Sequence, residues 1–270
     1  MKGFASPDGT SLLDVLSPRI ARVFAAGRPD SVLYCKRVEP AHRTLPEATQ
    51  LLLREDQILS SIALSSAAAL APRVIARGSD ADGPYLLIAS VEGRPLALPN
   101  TDTSSLRAWL GTLFGGLARL HGAHADGETL GLVHGDVSPE NVVYTDTRAV
   151  FVDWELGRAA HVSELELGPF RGTLAFVAPE VAMGERASQT ADVFSLGLVC
   201  LQLLAGAPIR KHEGAAGIVE AAESEIDVDR ALARFPRDVT EKLRPFFAAV
   251  LSLSPAERPP DGGATLSLLW

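Results

Sequence analysis

Apolar positions recur along this chain with two periods, and the change from one to the other divides it. Near the start, "RIARVFAAG" (19–27) and "SVLYCKRV" (31–38) are short strand-like runs around "GRPD" (27–30), which predicts two strands joined by a turn. "LPEATQLLLREDQILSSIAL" (45–64) then places Leu51, Leu52, Ile58, Leu59 and Ile62 at helical spacing, with Pro46 and Glu47 suited to a first turn. "RVIARG" (73–78) and "PYLLIASV" (84–91) predict two more strands about the turn "SDADGP". After Gly93 the period becomes helical: "TSSLRAWLGTLFGGLARLHGAH" (103–124) opens on Ser and Thr cap candidates and keeps one apolar face.

Two brief strands, "NVVYTD" (141–146) and "AVFVDW" (149–154), follow, then a long irregular stretch over about 155–178 and further helices. Irregular stretches of that length in a folded domain usually carry function. The order predicts an α+β, bilobal chain: a small antiparallel-sheet lobe with one helix over 1–88, a connection at 89–93, and a larger, mainly helical lobe over 94–270.

Composition narrows the function classes. With 33 acidic against 25 basic residues, the formal charge of -8 argues against a nucleic-acid partner. The apolar stretch "VFSLGLVCLQLLAGAPI" (193–209) is short for a bilayer span and predicts a buried helix, so no membrane segment is expected. The opening "MKGFASPDGT" lacks the apolar core of a secretory signal, and the cytoplasm is the expected location. Cys35 and Cys200 lie in apolar surroundings, which predicts neither a disulfide framework nor a cysteine-based metal site. Only four of the basic residues are lysines, so Lys36, inside an apolar strand, stands out.

The chemistry gathers in "HGDVSPENVVYTD" (134–146) and "AVFVDWELG" (149–157). Phosphoryl transfer from a nucleotide needs a cation for the phosphates, oxygen donors for Mg²⁺, and a carboxylate to accept the acceptor's proton. Asp136, Asn141 and Asp153, at or beside strand ends, have that chemistry.

On these residues the chain resembles the protein-kinase superfamily. "HGDVSPEN" is similar to the catalytic loop H-R-D-x-x-x-x-N, "VDWELG" stands at D-F-G, and "LYCKR" resembles V-A-I-K. The resemblance implies Asp136 as catalytic base, Asn141 and Asp153 as Mg²⁺ ligands, Lys36 on the α/β-phosphates of ATP, and Glu55 as its helix partner. It implies that Leu16, Val23, Ile88 (the gatekeeper), Ala89 and Val91 surround the adenine. "GTLAFVAPE" (172–180) matches the A-P-E segment, with Thr173 where Ser/Thr kinases bond the catalytic Asp. Asp192 would prop the catalytic loop, and Arg258 in "SPAERPP" would pair with Glu180. His134 reads as a core histidine bracing that loop, Trp154 as packing between lobes, and His121 and His124 as capping or surface residues.

Three features depart from the pattern. The phosphate loop should read G-x-G-x-x-G, yet aligning on Val23 gives "LSPRIA" (16–21), without glycine and with Pro18 removing a donor. Gly135 replaces the Arg that reads a phosphorylated activation loop, so the site should not need that phosphorylation. Ser138 replaces the Lys that contacts the γ-phosphate, leaving Arg158 or Arg171 as candidate replacements for the charge. The A-P-E segment ranks a bacterial-type Ser/Thr protein kinase first, with a protein substrate and room for an activating partner. A pseudokinase scaffold is the second reading, supported by the glycine-free loop and Ser138. A small-molecule phosphotransferase of the aminoglycoside- and choline-kinase type is the third, with the acids of 206–232 as a lining for a cationic acceptor.

Overall fold

Five antiparallel strands open the chain in this computed structural model, which describes residues 6–25, 28–145, 147–164, 172–210 and 214–270. Strands β1 (Thr10–Val15), β2 (Ile20–Ala25), β3 (Arg28–Arg37), β4 (Val74–Asp80) and β5 (Gly83–Ala89) form one sheet in the order β1-β2-β3-β5-β4. Helix α1 (Pro46–Ala63) lies between β3 and β4 in sequence. Strand β3 is central, and its alternation sorts two faces. Leu33 and Cys35 pack with Val23 and Leu87 in a small cluster, whereas Lys36 takes the opposite face, its backbone paired with Ile20 and Leu86. Cys35 and Cys200 are free and buried, as their apolar surroundings predict.

Two differences from the sequence reading concern this sheet. Strand β3 already begins at Arg28, so residues 28–30 of the expected turn at 27–30 belong to the strand, and residue 27 lies outside the described residues. Strand β1 was not anticipated. Its "TSLLDV" leaves Leu12, Leu13 and Val15 between 41 and 49% exposed, so no buried face imposes the alternation that would reveal it.

The rest of the chain is mainly helical. Strand β6 (Arg94–Pro95) leads to helix α2 (Thr103–His121), capped not by the Ser or Thr residues but by Asp102, whose carboxylate accepts from Ser105 N–H at 2.9 Å. A small hairpin, β7 (His124–Ala125) and β8 (Glu128–Thr129), follows, and then β9 (Val142–Tyr144) and β10 (Ala149–Phe151), which form a three-stranded sheet with β6. Helix α3 (Pro179–Ala182) precedes α4 (Gln189–Ala205), which is buried on nearly every side, as its unbroken apolar run requires. Helices α5 (Gly214–Glu223), α6 (Val228–Leu232), α7 (Arg237–Val250) and α8 (Gly262–Leu266) complete it. One apolar core runs from Ile58, Leu59 and Ile62 of α1 through Phe114 of α2 and Phe151 of β10 to Phe194 of α4 and Phe246 of α7. No helix among the described residues is long and apolar enough to cross a membrane.

Candidate active site

The cleft beneath the five-stranded sheet gathers charges contributed by β3, α1 and the segment after β10. Lys36 Nζ donates to both oxygens of Glu55, at 2.7 and 2.8 Å, and to Asp153 Oδ1 at 2.8 Å. Burial works against the ammonium, but the attraction of Glu55 and Asp153 outweighs it, so Lys36 is held charged beyond an ordinary lysine. Burial likewise works against the Asp153 carboxylate, and the charge and hydrogen bond of Lys36 more than reverse it, lowering its pKa. Asp153 adopts φ 64°, a left-handed conformation uncommon for a non-glycine residue and of a kind that concentrates at functional sites. Glu55 also accepts from Trp154 N–H at 3.1 Å, which ties α1 directly to the segment after β10. Arg54, its neighbour on α1, donates to Gly157 O at 3.0 Å and to Ser163 O.

The loop between β8 and β9 presents the second cluster. Asp136 Oδ1 accepts from Thr173 N–H at 2.7 Å and Oδ2 from Asn141 Nδ2 at 3.1 Å. Thr173 therefore reaches the carboxylate through its backbone. Asn141 Nδ2 also donates to Asp136 O at 2.9 Å, and Asn141 O accepts from Val152 N–H at 2.9 Å, which places Asn141 beside the residue preceding Asp153. Beneath the loop, Asp192 of α4 accepts from His134 N–H at 2.7 Å and Gly135 N–H at 2.9 Å. The His134 ring, almost wholly buried, spans from Asp136 N–H to Val152 O, with Trp154 4.8 Å away between ring centres. Trp154 is fully buried and donates to Phe151 O, so both residues brace the loop from within.

Several expectations need correcting. His121 is neither capping nor at the surface: it is buried, accepts from Gly262 N–H at Nδ1 (3.1 Å), and turns Nε2 to Asp192 Oδ2 (3.2 Å). It is a second-level prop for the loop that joins α2, α4 and α8. His124 does lie at the surface, against Ser66. Arg158, one candidate replacement for the missing charge, bonds Ala187 O at 2.8 Å and Glu164 at 2.5 Å. Arg171 lies outside the described residues. Ser138 is wholly buried and its hydroxyl has no hydrogen-bond partner among the described residues. Gly135 takes φ 77°, and a Cβ there would lie 2.7 Å from Leu156 O, so a side chain is excluded where the family pattern has Arg.

A protein kinase domain model matches residues 88–264. The chain belongs to the protein-kinase family. The serine/threonine-protein kinase PknA of Mycobacterium tuberculosis (strain ATCC 25177 / H37Ra) is 33% identical over 183 residues, 66% of this chain and 40% of that protein. PknL of the same species (strain CDC 1551 / Oshkosh) is 31% identical over 192 residues, 68% of this chain and 45% of its own. The calcium/calmodulin-dependent protein kinase cmkA of Emericella nidulans shares 27% over 132 residues, 47% of this chain and 31% of that protein. The chain thus spans less than half the length of these relatives.

Of the residues expected around the adenine, Val23 and Ile88 are buried, whereas Leu16 in the β1–β2 turn is 53% exposed. At the end of β5, Ala89 N–H is bonded to Arg73 O, and beyond it Ser90 N–H to Val32 O, while Val91 N–H makes no hydrogen bond among the described residues. Sequence reasoning did not find Arg54, the Trp154 tie to Glu55, or the ion pair of Arg19 with Glu155. One signal was available: the third position of D-F-G is an acid here, Glu155.

Proposed function

We propose that the chain is a Ser/Thr protein kinase of the cytoplasm, transferring the γ-phosphoryl group of ATP to a protein hydroxyl. The observation that carries this reading is the convergence of Lys36, Glu55 and Asp153 in one charged cluster, with Asp136 and Asn141 bonded to each other on the loop beside it. In the proposed reaction the acceptor hydroxyl gives its proton to Asp136 as its oxygen attacks the γ-phosphorus. The bond from the γ-phosphorus to the bridging oxygen breaks, and ADP leaves. Thr173 N–H and Asn141 Nδ2 orient the carboxylate, and Asp192 with His134 holds the loop beneath it. Lys36, fixed by Glu55, neutralises the α/β-phosphates.

The donor set fits Mg²⁺. Asn141 Nδ2 is spent on Asp136, leaving its carbonyl oxygen to coordinate, and Asp153 Oδ1 is spent on Lys36, leaving Oδ2. When bound there, the ion neutralises charge on the phosphates. Val23, Ile88, Ala89, Leu16 and the unspent Val91 N–H are the residues proposed for the adenine. The small cavity beside Asp136, lined by Val137, Thr173, Phe176, Val177 and Val181, has room for little more than a water molecule. The match to the protein kinase domain and to serine/threonine-protein kinases favours a protein acceptor over a small cationic one. The acids of 206–232 do not argue otherwise: Asp227 caps α6 and Asp229 pairs with Arg244.

The test is transfer of labelled phosphate from Mg-ATP to the protein itself and to a generic Ser/Thr substrate. Asp136→Asn should slow transfer by about a hundred- to ten-thousand-fold, the span attributed to a positioned base, and leave nucleotide binding intact. Asp153→Asn should abolish Mg²⁺-dependent transfer, and Lys36→Met should weaken binding and transfer together. Transfer by Asp136→Asn at the wild-type rate would show that Asp136 is not the base. Binding without any wild-type transfer would favour the scaffold reading.

A further inference from the structure

The turn joining β1 to β2 sends one side chain across the cleft. Arg19 Nη2 bonds Glu155 Oε2 at 2.6 Å, linking residues 136 positions apart. Glu155 is two residues beyond Asp153, and Arg19 lies close enough to Asp153 and Glu55 to feel their charge. Burial opposes the guanidinium, but the hydrogen bond and charge of Glu155, with those two carboxylates behind it, raise its pKa above the ordinary arginine value.

The backbone of this turn has nothing to offer an anion. Leu16 N–H and Ser17 N–H donate to Ile20 O, Arg19 N–H donates to Ser17 Oγ, and Ile20 N–H donates to Ser17 O and Oγ. Pro18 has no N–H. Every donor that a glycine-rich loop would turn toward phosphates is therefore spent on closing the turn. Those same bonds hold the turn rigid, and Arg37 N–H fixes it to β3 through Arg19 O at 2.8 Å. The guanidinium is what remains, on a preordered stalk, bonded to Glu155 and within electrostatic reach of Asp153 and Glu55.

We propose that Arg19 is the phosphate-binding residue of this turn, a side chain replacing the missing backbone donors, and that Glu155 holds it over the cleft until a nucleoside triphosphate displaces the carboxylate. The proposal rests on the phosphotransfer reading and names a residue that grips the nucleotide. Guanidinium pairs bidentately with phosphate as it does with carboxylate, so the exchange replaces one acceptor with a more highly charged one. The carboxylate can be displaced because the pair is only partly withdrawn from water, the Arg19 side chain being 36% and the Glu155 side chain 16% exposed.

The experiment is calorimetric binding of Mg-ATP, Mg-ADP and adenosine to the whole chain, comparing wild type, Arg19→Gln, Glu155→Gln and the double variant. Arg19→Gln should weaken Mg-ATP by about ten- to a hundred-fold, the loss of a charge-assisted hydrogen bond. It should weaken Mg-ADP less and leave adenosine unchanged. Glu155→Gln, freeing Arg19, should tighten Mg-ATP by up to about fivefold, and the double variant should match Arg19→Gln alone. Unchanged Mg-ATP affinity in Arg19→Gln overturns the proposal, leaving a plain ion pair between lobes, while the kinase reading stands on wild-type binding and the Asp136→Asn result. Equal losses for Mg-ATP and adenosine also overturn it, since the cleft itself would then have changed. A wild type that binds no nucleotide overturns both.

Discussion

Glu180→Ala should unfold this protein more readily for a reason that can be separated from lost packing. Glu180 of α3 and Arg258 meet through two bonds, Nη1 to Oε1 at 2.7 Å and Nη2 to Oε2 at 2.9 Å, with side chains 6% and 0% exposed. Removing one partner of a buried pair costs about 3–5 kcal/mol, because the other charge stays buried without its counter-ion. Arg258 keeps part of its environment: Ser252 O at 2.6 Å, Leu253 O at 3.1 Å, and the Phe194 ring 4.6 Å away. That remainder puts the expected loss at the low end, about 3 kcal/mol, or a fall in Tm of about 6–12 °C for a domain of this size. Urea denaturation of wild type, Glu180→Ala, Arg258→Met and the double variant gives the coupling directly. The double variant should cost well below the sum of the singles, since it strands no charge. Additive costs, or a loss under about 1 kcal/mol in Glu180→Ala, would refute the reasoning.

Gly135→Ala should also destabilise, by at least about 1 kcal/mol, because φ 77° disfavours a side chain and the new Cβ would meet Leu156 O at 2.7 Å; a Tm equal to wild type would contradict this. Asp102, the cap of α2, has its pKa lowered by hydrogen bonds from Ser104 Oγ and Ser105 N–H. A carboxylate with a lowered folded pKa contributes its full stability above the ordinary Asp value of about 3.9, and loses it as pH falls through the folded value. Asp102→Asn keeps an acceptor without titrating, so its Tm deficit against wild type should shrink as pH falls below about 4; a deficit constant with pH would show that the charge is irrelevant.

Much of this molecule was legible in its order of residues. Lys36, Asp136, Asn141 and Asp153 were named because the motifs that carry them stand in the order of the family pattern, and the structure brings Lys36 to Asp153 and Asp136 to Asn141. Helix α1 announced itself through Leu51, Leu52, Ile58, Leu59 and Ile62, whose spacing makes one buried stripe. Helix α4 did so through an apolar run that only burial tolerates. Glu180 and Arg258, 78 positions apart, were paired only through the family resemblance.

What stayed hidden depends on contacts that local propensity does not encode. Strand β1 carries exposed Leu12 and Leu13, so its apolar pattern has no buried side to mark. His121 reads as the polar end of a helix until the chain brings Asp192 and Gly262, 71 and 141 positions away, against its two nitrogens. Arg19 carries no local signal, and only folding sets it opposite Glu155. The sequence by itself determined which groups have the chemistry for phosphoryl transfer, because composition, period and order are local properties. The tertiary structure alone decided which of them meet: a charge's partner is fixed by where the chain returns, through loop closures of up to 136 positions that no local pattern records.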